Sequence, residues 1–581
     1  MNATTVKALR DRILAARRQI PADLVLKEAR VVNVFSGGIQ ERDVAVFDGI
    51  IVGVGSDYHG KNEVHLKGKY VVPGLIDGHF HIESSMLLPS NLAAALLIHG
   101  TTTIVTDPHE IANVMGMDGI RFMLEESRSI PFDIFFMASS CVPATALETS
   151  GSALEASEIS VLRDEPRVLG LAEMMNFPGV LAGEQGVLEK ILLFKDQVLD
   201  GHCPLVRGYD LQAYMAAGIR SDHESTQKEE GLEKLENGMM LMIREGTSAK
   251  NLEELLPLIN KNNARRACFV SDDLHAEDIQ ERGHLDFIVK KAIEWGLDPA
   301  TAVQLVTLNP AEYFGLKERG AVAPGYRADL VVLDDLEAFE VASVYKNGHM
   351  VVDRGSLLLN FATKGNGVLS VHSKPLNISP FGPESFRIPY GRGKARVIEV
   401  IPSQLVTRMC EEEVQSDNGW VFSDIEADIL KLAVVERHEA SGRIGLGLVK
   451  GFGLMHGALA SSVAHDSHNV IVVGVSDEEI VKAVEVVKDM GGGLVVVRGN
   501  EILAKTPLEI AGLMSTQPLA PLTSQLQAVK SAAHSIGCAL EEPFMSLSFL
   551  ALPVIPELKL TDRGLVDVNN SKIVPLFLGR R

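Results

Sequence analysis

Aromatic residues make up only 5% of this 581-residue chain, and cysteine is almost as scarce. The five cysteines (Cys141, Cys203, Cys268, Cys410, Cys538) are odd in number, widely spaced and free of CxxC pairs. That argues against a disulfide framework or a thiolate zinc site and fits a reducing cytosol. No stretch approaches the ~20 apolar residues that span a bilayer, and the opening MNATTVKALRDRILAARRQI lacks the apolar core of a secretory signal. Positive charge is short as well. Fifty-five Lys and Arg against 76 Asp and Glu leave a formal charge of −21, which repels phosphate backbones and anionic lipid, so neither nucleic acid nor a membrane is expected as a main partner.

What is present reads as a soluble α/β protein: 46% apolar, 23% charged, with 51 glycines for tight connections. Val6, Leu9, Ile13 and Leu14 recur at helical spacing and predict an amphipathic docking helix. Residues 23–72 and 321–353 both alternate short β-branched runs with turn signals, and two such half-sized segments flanking one long insert would pair into a discontinuous β-sandwich. The insert shows eight apolar runs separated by helical patterns, the rhythm of a (β/α)8 barrel. The expected division is therefore 1–72 (helix and first part of the sandwich), 73–319 (TIM-like barrel), 320–364 (second part) and 365–581 (a C-terminal α/β or α+β domain). In the last, SHNVIVVGVSDEEIVKAVEVVKDMGGGLVVV reads as strand, helix, strand. Its glycine-rich IGLGLVKGFGLMHG meets neither phosphate-loop pattern and reads as turns.

Polar residues cluster where the barrel runs end. YVVPGLIDGHFH (70–81) puts His79 and His81 one residue apart, on one side of a strand, and neutral imidazole is the commonest metal ligand. Asp107, Glu173, His202, His223 and Asp272 each sit at or just past the end of a different run, the face that carries the active site in such barrels. Any one of them could cap a helix or line a turn; chance does not place ligand-type residues after six of eight strands. Four histidines and two carboxylates without thiolates suit divalent manganese, iron or zinc. His79 and His81 would hold one ion, His202 and His223 a second, with Glu173 bridging as two-metal sites require. Asp272 would bind one ion and accept the proton of a water acidified by both.

These features resemble the amidohydrolase superfamily. Within it, HIESSM (81–86), TDPHEIANVMG (106–116), LAEMMNFPGV (171–180), GHCPLVRG (201–208), SDHES (221–225), SDDLH (271–275) and AHDSHN (464–469) resemble the adenine deaminase family over all parts of the chain. The resemblance implies adenine as substrate, hypoxanthine and ammonia as products, a two-metal centre with manganese first and iron next, and a homodimer; zinc stays open from the donor set, and the cytoplasmic location from the cysteine usage. Two departures from the wider superfamily matter. No lysine lies between residues 70 and 189 to serve as a carboxylated bridge, which leaves Glu173; and His202 is followed by Cys203, Pro204 and Leu205 rather than the HxxE whose glutamate shuttles the proton in single-metal members. Asp272 is then the expected shuttle, with His223 or His275 stabilising charge on the ring. Glu83, Ser84, Glu110 and Asp273 are the expected substrate contacts; Ser85 shares their position past the metal pair. His109 is a candidate ligand for an additional ion. His465, Asp466 and His468 form a second cluster, expected to lid the pocket of its own or a neighbouring subunit. Rival readings keep the fold and change the bond, to a cyclic amidase or an N-acetyl sugar deacetylase. A scaffold without catalysis is disfavoured, because no ligand is missing.

Overall fold

The computed structural model describes residues 5–359, 376–402 and 404–579. The boundary expected between 364 and 365 lies outside them.

The chain opens with a helix, Val6–Ala16, whose N-cap Thr5 accepts a hydrogen bond from the Ala8 amide at 3.1 Å. The expected docking stripe faces away: Val6, Leu9 and Ile13 are 87%, 52% and 51% exposed. The helix instead seats Ala15 against Ala22, Val25 and Ala45. A methyl side chain allows the close approach to a sheet that a leucine stripe prevents, and Arg12 fixes the pose through Asp48 at 2.8 Å.

The two β segments join into one nine-stranded sheet. The strand Tyr70–Pro73, at the end of the first segment, pairs antiparallel with Leu330–Leu333, at the start of the second, with Val72 opposite Val331. Alternation sorts the faces. Val71 and Val332 join a core internal to the sheet, whereas Val72, Val331 and Leu333 face the barrel's helices.

Between these strands lies the barrel. Its strands are Leu75–Phe80 (β1), Thr101–Thr106 (β2), Asp133–Ala138 (β3), Val168–Met174 (β4), Val198–Gly201 (β5), Ser221–Asp222 (β6), Met240–Arg244 (β7) and Ala267–Val270 (β8). β1 to β5 form one parallel run and β6 to β8 another. Closure follows at both seams. Asp272 N–H donates to the His79 carbonyl (3.0 Å) beyond β8, and Arg220 N–H donates to the Leu199 carbonyl (3.3 Å) beside β5. The β5–β6 seam needs glycine, since a Cβ on Gly201 would lie 2.1 Å from the Ser221 carbonyl. Ile76, Val105, Met137, Ala172, Met242 and Cys268 fill the interior, while their neighbours Ile104, Phe136, Leu171, Leu241 and Phe269 face the helices. The barrel floor is thus packed with apolar side chains.

The C-terminal unit is built on an eight-stranded sheet. The strand–helix–strand stretch is Val470–Gly474, Asp477–Asp489 and Gly493–Arg498, but Ala458–Ser461 lies between the two strands and runs antiparallel to both. The unit is therefore a mainly antiparallel α+β layer structure. Its helix Leu519–Ser535 packs against the sheet on one side and against two barrel helices, Pro89–Ile98 and Ala276–Arg282, on the other. All five cysteines are free. No helix among the described residues is long and apolar enough to cross a membrane.

Candidate functional site

At the carboxyl end of the barrel, His79 and His81 flank Phe80, which points outward into the helical core. His79 Nδ1 lies 3.3 Å from Asp200 Oδ2 at the end of β5, and His81 Nδ1 lies 3.2 Å from the Asp107 carbonyl. Each Nδ1 faces an acceptor and so carries the proton, which turns the Nε2 lone pairs into the barrel mouth. Glu173, from the end of β4, divides its oxygens between two histidine pairs. Oε1 is 3.7 Å from His79 Nε2 and 3.3 Å from His81 Nε2; Oε2 is 2.7 Å from His202 Nδ1 and 3.3 Å from His223 Nε2. Asp272 completes the ring, with Oδ1 at 3.4 Å from His79 Nε2 and 3.0 Å from His81 Nε2. Its backbone is left-handed, φ 59°, a conformation that aspartate tolerates better than most residues and that aims the carboxylate inward.

The cluster is buried: His79, His81, Glu173, His223 and Asp272 are each at most 3% exposed. Burial opposes every charge there, yet mutual contacts win. Burial raises the Glu173 pKa, but hydrogen bonds from His202 and His223 hold it well below the usual carboxylate range. Asp272 is likewise opposed by burial and held well below by Arg244, then by His79 and His81. His81 is disfavoured as a cation by burial, and the Asp272 and Glu173 carboxylates nevertheless hold its pKa well above that of free imidazole. Such a site draws positive charge, and the donor set favours a divalent cation. His79, His81 and Glu173 place ligand atoms within 4.8 Å of one another, as do His79, His223 and Asp272, and Glu173, His202 and His223. The buried His79 Nε2 has no hydrogen-bond partner, which is the signature of a nitrogen whose lone pair serves something other than the protein. These residues fit a divalent metal centre.

The other expected site residues separate. Ser84 Oγ donates to Asp273 Oδ1 at 2.5 Å. Glu83 accepts the Ile111 amide on Oε1 (3.1 Å), while Oε2 is buried without a partner; burial and the neighbouring Glu110 push its pKa up to about 7. Ser85 is spent on the Ile82 carbonyl and the Leu87 amide. His109 sets Nδ1 against Asp107 (3.1 Å) and Nε2 against Glu110 (3.4 Å), and lies 3.8 Å from Glu173. The Glu110 carboxylate is engaged by His465 and His468, so the C-terminal cluster does reach the barrel of its own chain. His275 is the residue the structure keeps outside the ring of ligands. It is the N-cap position of the helix Ala276–Arg282, with Asp278, Glu542, Asp273 and His465 as its charged neighbours.

Two residues that sequence reasoning passed over complete the site. Arg244, at the end of β7, contacts Asp272 Oδ2 and donates to both oxygens of Glu224, at 2.5 and 3.1 Å. Glu224 stands 3.4 Å from His223 Nε2, and although burial opposes its ionisation, Arg244 and His202 bring its pKa down to about 2. The signal was present: Arg244 ends a barrel strand, and Glu224 follows His223 in SDHES.

The chain is similar to known proteins over nearly its whole length. Residues 70–351 match the profile of the amidohydrolase family, and residues 404–572 match the adenine deaminase C-terminal domain. An adenine deaminase of Desulfatibacillum aliphaticivorans is 52% identical over 97% of this chain and 99% of its own, and one of Methanothrix thermoacetophila is 48% identical over 98% and 100%. Among solved structures, a zinc-bound adenosine deaminase from Xanthomonas campestris covers 59% of this chain and 96% of its own at 17% identity, with a TM-score of 0.45. With both the barrel and the C-terminal unit matched, and relatives aligned from end to end, this chain belongs to the adenine deaminase family of amidohydrolases.

Proposed function

We propose that the chain hydrolyses adenine to hypoxanthine and ammonia. Family membership over nearly the full length carries the substrate. The observation that carries the chemistry is the convergence of six ligand-type side chains, from the ends of five strands, on one largely buried cluster. Two divalent ions, manganese before iron or zinc, are our reading of the cofactor. His79, His81, Glu173 and Asp272 would hold one, and Glu173, His202 and His223 the other. Bound there, such ions supply a water of lowered pKa and a counter-charge for developing negative charge.

The residues do the rest. Asp272 accepts the proton of the attacking water, its carboxylate kept ionised and aimed by Arg244. Glu83, with an oxygen that no group of the fold satisfies, and Asp273, steadied by Ser84, are the candidates for reading the purine edge. His223 is the candidate for stabilising charge on the ring; His275 lies further out and is the weaker choice. The packed barrel floor beneath and the C-terminal unit above exclude bulk water, which strengthens each of these contacts.

Product analysis tests the reading. Manganese-loaded protein is given adenine, adenosine and acetylated amino sugars, with Glu173→Gln as the control. Hypoxanthine from adenine, abolished in the variant, is expected. Acetate release without hypoxanthine would move the assignment to a deacetylase. A cytosolic homodimer completes our reading, and light scattering in solution tests the subunit count.

A further inference from the structure

Glu110 meets two histidines that lie 355 and 358 positions further along the chain. A carboxylate between two buried imidazoles invites a metal reading, and His468 decides against it. Its Nδ1 accepts the Ala464 amide at 3.2 Å, so Nε2 holds the proton and donates it to Glu110 Oε2. A metal-binding imidazole does the reverse, donating from its far nitrogen.

The same accounting gives His465 a different role. Its Nδ1 donates to Glu110 Oε1 at 2.7 Å, and its ring stacks on Phe549 with centroids 4.5 Å apart and planes 21° from parallel. Ring position and tautomer are thus fixed by two groups, while Nε2 has no hydrogen-bond partner among the described residues. A buried carboxylate that orients an imidazole through Nδ1 and leaves Nε2 free is the arrangement that moves protons in other hydrolases. Glu110 also ties this segment to the ring of ligands: its Oε1 lies 3.4 Å from His109 Nε2, and His109 Nδ1 lies 3.8 Å from Glu173 Oε1. Asp466 Oδ2 is itself buried without a partner.

We infer that His465, oriented by Glu110, is a catalytic residue whose Nε2 protonates the leaving amine. This rests on the adenine reading. Water adds to C6, and its first proton passes by way of Asp272 to N1. The C6–N6 bond then breaks with its electron pair on nitrogen, which takes the His465 proton and leaves as ammonia. The C6 hydroxyl gives its proton to Asp272 as the carbonyl forms, and that proton returns to His465 through solvent. Glu110 is a positioning residue in this scheme.

The test compares adenine with 6-chloropurine, whose chloride leaves without a proton. His465→Asn keeps an amide N–H for Glu110 and removes Nε2. In metal-loaded protein, kcat for adenine is expected to fall about 100-fold or more with KM little changed, while chloride release falls less than about tenfold. Metal content and melting temperature stay at the wild-type values. Equal losses on both substrates, or adenine turnover within about tenfold of wild type, would overturn the inference. If the Asn variant does not fold, His465→Gln is judged by the same ratio. Wild-type protein that yields no hypoxanthine would instead remove the adenine reading beneath it.

Discussion

Arg244 offers the sharpest test of the site's electrostatics. Its guanidinium, only 8% exposed, joins Glu224 to Asp272, which are themselves 15% and 3% exposed. Arg244→Met keeps an unbranched chain in the same space and removes the charge. Breaking a buried ion pair by deleting one partner costs about 3–5 kcal/mol, because the other charge stays buried. Here two carboxylates lose their partner at once, so the upper half of that range is expected for protein in chelator, read from denaturant midpoints. Metal-loaded protein should lose less, since bound cations take over part of the compensation. Activity should drop about 100-fold or more as Asp272 loses the group that aims it. Adding Glu224→Gln removes one of the stranded charges and should recover about 0.5–3 kcal/mol, the range of coupling between contacting residues. An Arg244→Met protein within about 1 kcal/mol of wild type in chelator would be behaving like an exposed pair, and the reasoning from burial would be wrong.

Other predictions follow from single contacts. His79→Asn should lower the metal content of purified protein and abolish hypoxanthine formation, with manganese supplementation restoring little. Asp562 is buried and accepts both the amide and the hydroxyl of Thr149, at 2.8 and 2.6 Å; Asp562→Ala should cost about 1–3 kcal/mol for each donor left unpaired and speed proteolysis of the C-terminal unit, with metal content unchanged. Lys559 is buried against the carbonyls of Leu405 and Phe549, and burial brings its pKa down from 10.5 to about 7. Between those values the unfolded chain binds the extra proton, so this lysine's contribution to stability rises with pH from about 7 to 10. The difference between wild type and Lys559→Met, measured across that window, should show the slope.

The barrel was legible because its physics is local. Apolar runs of strand length ended in His, Asp or Glu, and the sequence distance between them did not matter once each was assigned to a strand end. Arg244 was not legible because an arginine stands in for a cation rather than binding one, and so carries no ligand signature. The pairing of Glu110 with His465 could not be read at all, since nothing in AHDSHN names a partner in another unit. The order of the C-terminal strands was closed for the same reason: Ala458–Ser461 enters between Val470–Gly474 and Gly493–Arg498, a choice made by long-range packing. The first helix shows the opposite error. Its periodicity was genuine, but a small residue on another side docks more closely than the apolar stripe.

The strand Tyr70–Pro73 waits for a partner that the ribosome has yet to make. Its neighbour in the sheet, Leu330–Leu333, emerges only after the whole barrel, a delay on the order of tens of seconds at ordinary elongation rates. For that interval a nascent chain presents an open, valine-rich edge of the kind that recruits other strands. Slowing translation within the barrel, or overloading a host with this protein, should therefore favour aggregates seeded at that edge, and a chaperone that shields it would raise the soluble yield more than one acting on the finished molecule.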